Sequence, residues 1–113
     1  MDEIYTEDAP SRAEIDRLEG AILIEFGSPW CGYCRAAQPS IAVALQEHPG
    51  VRHLKISDGP GRLLGRSFRV KLWPTLVLMK DGVELATLVR PRGSAEIAQA
   101  LEQIDPVNTS TLP

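Results

Sequence analysis

The sequence is poor in cysteine, with two in 113 residues. A secreted scaffold of this length held by disulfides carries more, so cross-links are not what holds this fold together. Basic charge is not in excess: 12 Lys and Arg stand against 15 Asp and Glu, a formal net charge of −3. That excludes the basic field of a nucleic-acid binder and the polybasic patch of a membrane anchor. Long apolar runs are missing too. Ala21–Ile24 and Leu76–Met79 fall far short of a bilayer span. The opening Met1-Asp2-Glu3-Ile4-Tyr5 is acidic and lacks a charged-then-apolar leader, so the expected compartment is the cytoplasm. No repeat or low-complexity linker interrupts the chain.

What is present is an ordinary globular composition, 43% hydrophobic and 24% charged. The length suits one domain, large enough to bury a core of its own. The expected division is a loose N-terminal segment over 1–9, a domain over 10–105 and a polar tail over 106–113.

Pro10-Ser11 opens a helical pattern to Glu19, with Ile15 and Leu18 on one face and Gly20 as its stop. Ala21 to Phe26 is nearly continuous in apolar residues, as in a strand buried on both sides. Gly27-Ser28-Pro29 breaks it. A helix from about Cys34 to Glu47 follows, with Ala37, Ile41, Ala44 and Leu45 as its stripe and a kink at Pro39. Val51 to Ile56 reads as a strand, Asp58-Gly59-Pro60-Gly61 as a turn and Arg62 to Ser67 as a short helix. Thr75 to Lys80 and Val83 to Val89 are strands joined by the hairpin signal Asp81-Gly82. Ser94 caps a last helix that buries Ile97, Leu101 and Ile104 and ends at Asp105-Pro106. Early strand–helix alternation predicts a parallel pair, and the hairpin adds antiparallel strands. The result is an α/β architecture: a mixed central β-sheet flanked by helices on both faces.

Both cysteines fall in Cys31-Gly32-Tyr33-Cys34, after a buried strand and at the start of a helix. Unpaired N–H groups and the helix dipole at such a terminus stabilise an anion. The thiolate is the reactive form of cysteine, and this placement lowers a thiol pKa to roughly 3.5–7.5. Cys31 lies nearest the donors and is the expected nucleophile. Cys34, one turn on, shares its face and can resolve a mixed disulfide. Two other readings stand beside this one. The pair can be half of a zinc site completed by His48, His53 or carboxylates, but there is no second tight pair. It can also be purely structural, although so short a loop constrains the unfolded chain little. Our expectation is no metal.

Phe26-Gly27-Ser28-Pro29-Trp30-Cys31-Gly32-Tyr33-Cys34-Arg35, then Pro39, then Trp73-Pro74-Thr75, resembles the thioredoxin family over roughly residues 10 to 104. The resemblance implies a thioredoxin fold and a protein-disulfide oxidoreductase. It implies no cofactor beyond a redox-active Cys31–Cys34 disulfide. The implied partners are protein disulfide substrates and an upstream thiol reductase, with a monomer as the working form. It also implies a cis proline at Pro74 facing the cysteines, where a trans proline at a strand start would otherwise be ordinary. The backbone at Trp73 would then meet a substrate peptide as an added strand. Trp30, Gly32, Tyr33, Trp73, Pro74 and Arg90 are the expected substrate-binding residues. For Trp30 and Trp73 the alternative is a core role.

Glu25 stands where the family usually has a buried aspartate. Burial would raise its pKa and fit it to accept the Cys34 proton, directly or through water. The alternative is a charged strand end that reaches solvent. His53 and Arg35 read as solvated surface residues. Tyr33 replaces the proline usual in housekeeping thioredoxins, and Arg90-Pro91 replaces a usual glycine. Cys-Gly-Tyr-Cys also resembles periplasmic disulfide isomerases, whose export leader and dimerisation domain have no counterpart in this sequence. An oxidant or isomerase is therefore one alternative function, and a non-catalytic binding or assembly factor another. Arg62, Arg66, Arg69, Lys71, Arg90, Arg92 and Arg35 are either ordinary solvated side chains or a basic rim that steers acidic partners.

Overall fold

In the computed structural model, residues 4–106 are described. The chain runs α1 (Arg12–Asp16), β1 (Ala21–Gly27), α2 (Gly32–Gln46), β2 (Arg52–Ser57), α3 (Leu63–Ser67), β3 (Thr75–Lys80), β4 (Val83–Val89) and α4 (Ser94–Ile104). The sheet order is β2-β1-β3-β4. β1 pairs parallel with β2 and antiparallel with β3, and β3 pairs antiparallel with β4. The expected element order and mixed sheet are both found.

Alternation along β1 divides the core in two. Ile22, Ile24 and Phe26 pack with Ile15 of α1, and with Leu64 of α3 and Phe68 just after it. Leu23, with Leu76 and Leu78 of β3, packs with Ile41 and Ala44 of α2 and Ile97, Leu101 and Ile104 of α4. Each large apolar side chain withdrawn from water contributes roughly 1.5–3 kcal/mol before the entropy of ordering is deducted.

The ends of elements differ from expectation in small, explicable ways. Ser11 and Glu14 form a reciprocal capping box at α1, but the helix stops at Asp16. There the hairpin turn arrives: a Cβ on Gly82 would lie 2.2 Å from the Asp16 carbonyl oxygen. Asp81 and Gly82 both have positive φ, 50° and 81°, as a two-residue hairpin turn requires. Ser94 does not cap α4. Gly93 occupies the cap position without a side-chain bond, and the Glu96 carboxylate reaches back to accept the Arg92 N–H at 2.8 Å. Pro39 lies inside α2 without ending it.

The segment expected to be loose is tied down at Tyr5 and Thr6. Thr6 donates its N–H to the Lys55 carbonyl and accepts from the Ser57 N–H, both at 2.8 Å, which extends the β2 edge. Tyr5 is buried. The sequence reading missed this because one bridging residue carries no periodic pattern. The expected polar tail lies, from residue 107 on, outside the described residues.

Candidate active site

Cys31 is the N-cap of α2, in extended backbone, and its Sγ accepts the Cys34 N–H at 3.1 Å. The cap exists because Ser28-Pro29-Trp30 turns the chain sharply out of β1. Ser28 accepts the Trp30 N–H at its Oγ and the Cys31 N–H at its carbonyl. The turn leaves Trp30 87% and Tyr33 62% exposed, on either side of the partly exposed Cys31. Cys34 is fully buried. Both cysteines are free thiols. Burial and the hydrogen bond with Cys31 push the Cys34 thiol up to about 11.

Across from the cysteines, the Trp73–Pro74 peptide bond is cis. The Trp73 carbonyl oxygen lies 3.9 Å from the Cys31 Sγ and accepts from the Arg90 Nε at 2.7 Å. The Arg90 guanidinium stacks 3.9 Å over the Tyr33 ring, bridging the loop before β3 to the first turn of α2. Trp73 is anchored from its far side, with its indole N–H donating to Asp58 Oδ2 at 2.8 Å. Asp58 in turn donates its N–H to the Gly27 carbonyl at 2.9 Å. Its carboxylate occupies the space that a Cβ on Gly65 would fill. Asp58 looked like a turn residue in the sequence, so its anchoring role was not expected. Gly32 begins α2 with open space where a Cβ would stand.

Beneath α2, Glu25 is fully buried, which removes the reading of a strand end in solvent. Three donors converge on its carboxylate. The Tyr5 hydroxyl donates to Oε2, Gln38 Nε2 to Oε2 at 2.8 Å, and His53 Nε2 lies 2.9 Å from Oε1. Lys55 Nζ donates to Gln38 Oε1 at 2.9 Å and sits 4.6 Å from the centre of the Tyr5 ring. The expectation of a raised Glu25 pKa is corrected. Burial, the largest single influence, pushes it up, but His53, Tyr5, Gln38 and the Lys55 charge together hold it below the ordinary glutamate range. The phenol of Tyr5 is driven the other way, by burial and by the carboxylate it faces.

Tyr5, Gln38 and His53 escaped the sequence reading. Gln38 lies one turn from Cys34 on the same helix, and that spacing could have flagged it. His53 is half-buried, not solvated. It lies two residues from Lys55 on β2, whose register sets Lys55 against Glu25. Arg35 is exposed, as expected, and donates to the Pro29 carbonyl at 3.1 Å. Among the described residues no three His, Cys, Asp or Glu side chains form a metal-holding group. His48 lies instead between Asp105 and Glu102, at 2.8 and 3.3 Å.

The family model for thioredoxin matches residues 4–103. The fold superimposes on thioredoxin 2 from Pseudomonas aeruginosa PAO1 in its reduced form with a TM-score of 0.83 and 52% identity, covering 92% of this chain and 96% of that one. Thioredoxin 1 of Synechococcus elongatus is 27% identical over 97 residues, 85% of this chain and 91% of its own length. Thioredoxin C-3 of Corynebacterium nephridii is 33% identical over 82 residues, 73% of this chain and 57% of its own. With a family model that matches nearly the whole chain and a partly exposed and a buried thiol at the start of α2, the chain belongs to the thioredoxin family and is a thiol–disulfide oxidoreductase with a Cys31-Gly32-Tyr33-Cys34 pair.

Proposed function

We propose that the protein reduces protein disulfides, with Cys31 as nucleophile and Cys34 as resolving thiol. The carrying observation is the asymmetry of the pair: Cys31 at a partly open helix cap, Cys34 fully buried one turn behind it. The Cys31 thiolate attacks one sulfur of a substrate disulfide and expels the other as a thiolate. The Cys34 thiolate then attacks the Cys31 sulfur. The second substrate thiolate leaves, and Cys31 and Cys34 become a disulfide. Two electrons pass from this chain to the substrate, and an upstream dithiol reductase returns them. No external cofactor enters this cycle.

The substrate chain lies over Trp30, Gly32 and Tyr33 and against Trp73 and Pro74, with Arg90 across the gap. The exposure of Trp30 and Tyr33 and the absent side chain at Gly32 support this reading. A monomer keeps those aromatic faces free for substrate. A reducing compartment such as the cytoplasm suits a reductant that must be recharged after each turn.

Insulin reduction driven by dithiothreitol tests the assignment. Cys31→Ser is expected to drop turnover to the uncatalysed background. A Cys34 thiol near 11 is ionised in only about one molecule in 10⁴ at pH 7. Brief iodoacetamide treatment of the reduced protein should therefore label Cys31 and spare Cys34. Activity surviving in Cys31→Ser, or equal labelling, overturns the assignment.

A further inference from the structure

Resolution of the mixed disulfide needs a proton removed from a thiol that is sealed from water and pushed up to about 11. The Glu25 carboxylate is engaged by Tyr5, Gln38 and His53. Between that carboxylate and the Cys34 sulfur stands the Tyr5 hydroxyl. A Cβ built on Gly27 would lie 2.7 Å from the Cys34 Sγ and 2.8 Å from the Tyr5 Oη, so both atoms crowd the small space that glycine leaves open. The same hydroxyl donates to Glu25 Oε2. On the far side of the carboxylate, His53 Nε2 lies 2.9 Å from Oε1. His53, 19% exposed, lines a groove of about 650 Å³ open to solvent, together with Tyr5, Gln38 and Lys55. Thiol, phenol, carboxylate and imidazole thus form one unbroken file from the buried sulfur to water.

We propose that Tyr5 and His53 are proton-relaying residues of the resolving step, with Tyr5 linking Cys34 to Glu25 and His53 linking Glu25 to solvent. Tyr5 Oη accepts the thiol proton as its own proton passes to Glu25 Oε2. The rotated hydroxyl then donates to the new Cys34 thiolate. Water in the groove exchanges the His53 ring from its Nε2–H to its Nδ1–H tautomer, and the Glu25 carboxyl turns its proton onto the bared Nε2. The ring then releases its Nδ1 proton to the groove, which restores the Nε2–H that donates to Oε1. The net change is one proton moved from Cys34 to water. The electron pair left on Cys34 forms the bond to Cys31, and the substrate thiolate departs with the pair of the broken bond. No other oxidant or reductant is needed.

The electrostatics favour transit over storage. Donors from three directions keep Glu25 ionised: Tyr5 from the N-terminal segment, Gln38 from α2, and His53 with the Lys55 charge from β2. A carboxylate so stabilised cannot hold the proton near neutrality, so it must hand the proton on. His53 is the one member of the file that lines the groove and also touches the carboxylate with a ring nitrogen, and an imidazole can take a proton at one nitrogen while giving one up at the other. Gln38, which accepts from Lys55 Nζ, holds the geometry but passes no proton, because an amide does not titrate.

The inference rests on the proposed division of labour between the cysteines, and the test separates the two. Reduced full-length protein is mixed with 5,5′-dithiobis(2-nitrobenzoate) in a stopped-flow instrument. Attack by Cys31 releases one thionitrobenzoate, and resolution by Cys34 releases a second. In Tyr5→Phe the second phase should slow on the order of 10²-fold near pH 7. The deficit should shrink as rising pH ionises Cys34 without help, and the first phase should keep its rate. His53→Ala should slow the second phase too, with added imidazole restoring it through the groove. A wild-type protein without a second phase overturns the division of labour itself. A second phase in Tyr5→Phe that matches wild type at every pH overturns the relay. So does an equal slowing of both phases at every pH, the mark of a merely structural tyrosine. If Tyr5→Phe does not fold, the His53→Ala arm decides, since an unslowed second phase or one blind to imidazole overturns the relay.

Discussion

One strand, β1, carries core on both its sides and chemistry on only one. Its even-numbered residues Ile22, Ile24 and Phe26 pack in one apolar cluster with Ile15 of α1, Leu64 of α3, Phe68, and Ile56, Val77 and Met79 of the neighbouring strands. Its odd-numbered residues change character along the strand: Leu23 is core, Glu25 is a buried carboxylate, and Gly27 is bare because the Cys34 sulfur and the Tyr5 hydroxyl take its side-chain space. The odd face carries polarity at low cost only because every polar atom is met. Among the described residues no buried side-chain nitrogen or oxygen lacks a hydrogen-bond partner. Burial without partners would cost several kcal/mol per group. Both faces therefore carry core, and reactivity is confined to the odd one.

The heaviest blow to that contrast is on the even face. Phe26→Ala should destabilise by about 3–5 kcal/mol, since the ring is fully buried and packs 5.8 Å from Phe68. The Cys34 resolving rate in molecules that remain folded should not change. Urea unfolding, with stopped-flow kinetics below the transition, measures both. A loss under about 1 kcal/mol, or a large change in resolving rate, would mean the two faces are not separate.

Glu25→Gln comes next, at about 1–3 kcal/mol, because an amide has one acceptor oxygen where three donors converge. Acid supplies the sign. The folded Glu25 pKa lies below its unfolded value, so ionised Glu25 contributes stability above the unfolded pKa. That contribution fades as pH falls through the folded pKa. The gap in melting temperature between wild type and Glu25→Gln should be widest near neutrality and close in strong acid. A gap constant with pH would show that packing, not charge, is what the substitution removes.

The even face was legible in the sequence because burial on both sides leaves a continuous apolar run, and the ends of β1, β3 and β4 follow from it. The cysteine pair was legible because its chemistry sits in four consecutive residues. The polar cluster was not. Tyr5, His53 and Gln38 meet only after parallel pairing sets β2 beside β1 and a single bridge at Thr6 draws the N-terminal segment along the β2 edge. Even Glu25, correctly marked as buried, was given the wrong direction of shift. Burial is visible in a sequence pattern; the donors that outweigh it come from distant segments.

The smallest effect lies outside both faces, on the rim. Arg90 is held against Trp73 and Tyr33, and Arg92 is exposed on the same loop. Arg62, Arg66, Arg69 and Lys71 line a groove that ends at Trp73, with Arg62 also 3.4 Å from Glu7. Exposed charges of this kind are worth less than about 1 kcal/mol each, so they act on encounter more than on the bound complex. Such steering fades as the Debye length shrinks from about 10 Å at 0.1 M salt to about 3 Å at 1 M. Reduction of an acidic disulfide peptide should therefore slow two- to threefold more with salt, roughly, than reduction of a neutral one. Arg90→Ser with Arg92→Ser should narrow that difference without touching the resolving step, whose groups lie beneath α2. Stopped-flow rates on matched peptides at several ionic strengths check it. Equal salt slopes in the wild type would reduce the rim to ordinary solvated side chains, while a slowed resolving step in the double variant would show that Arg90, through the Trp73 carbonyl beside Cys31, acts on the chemistry as well.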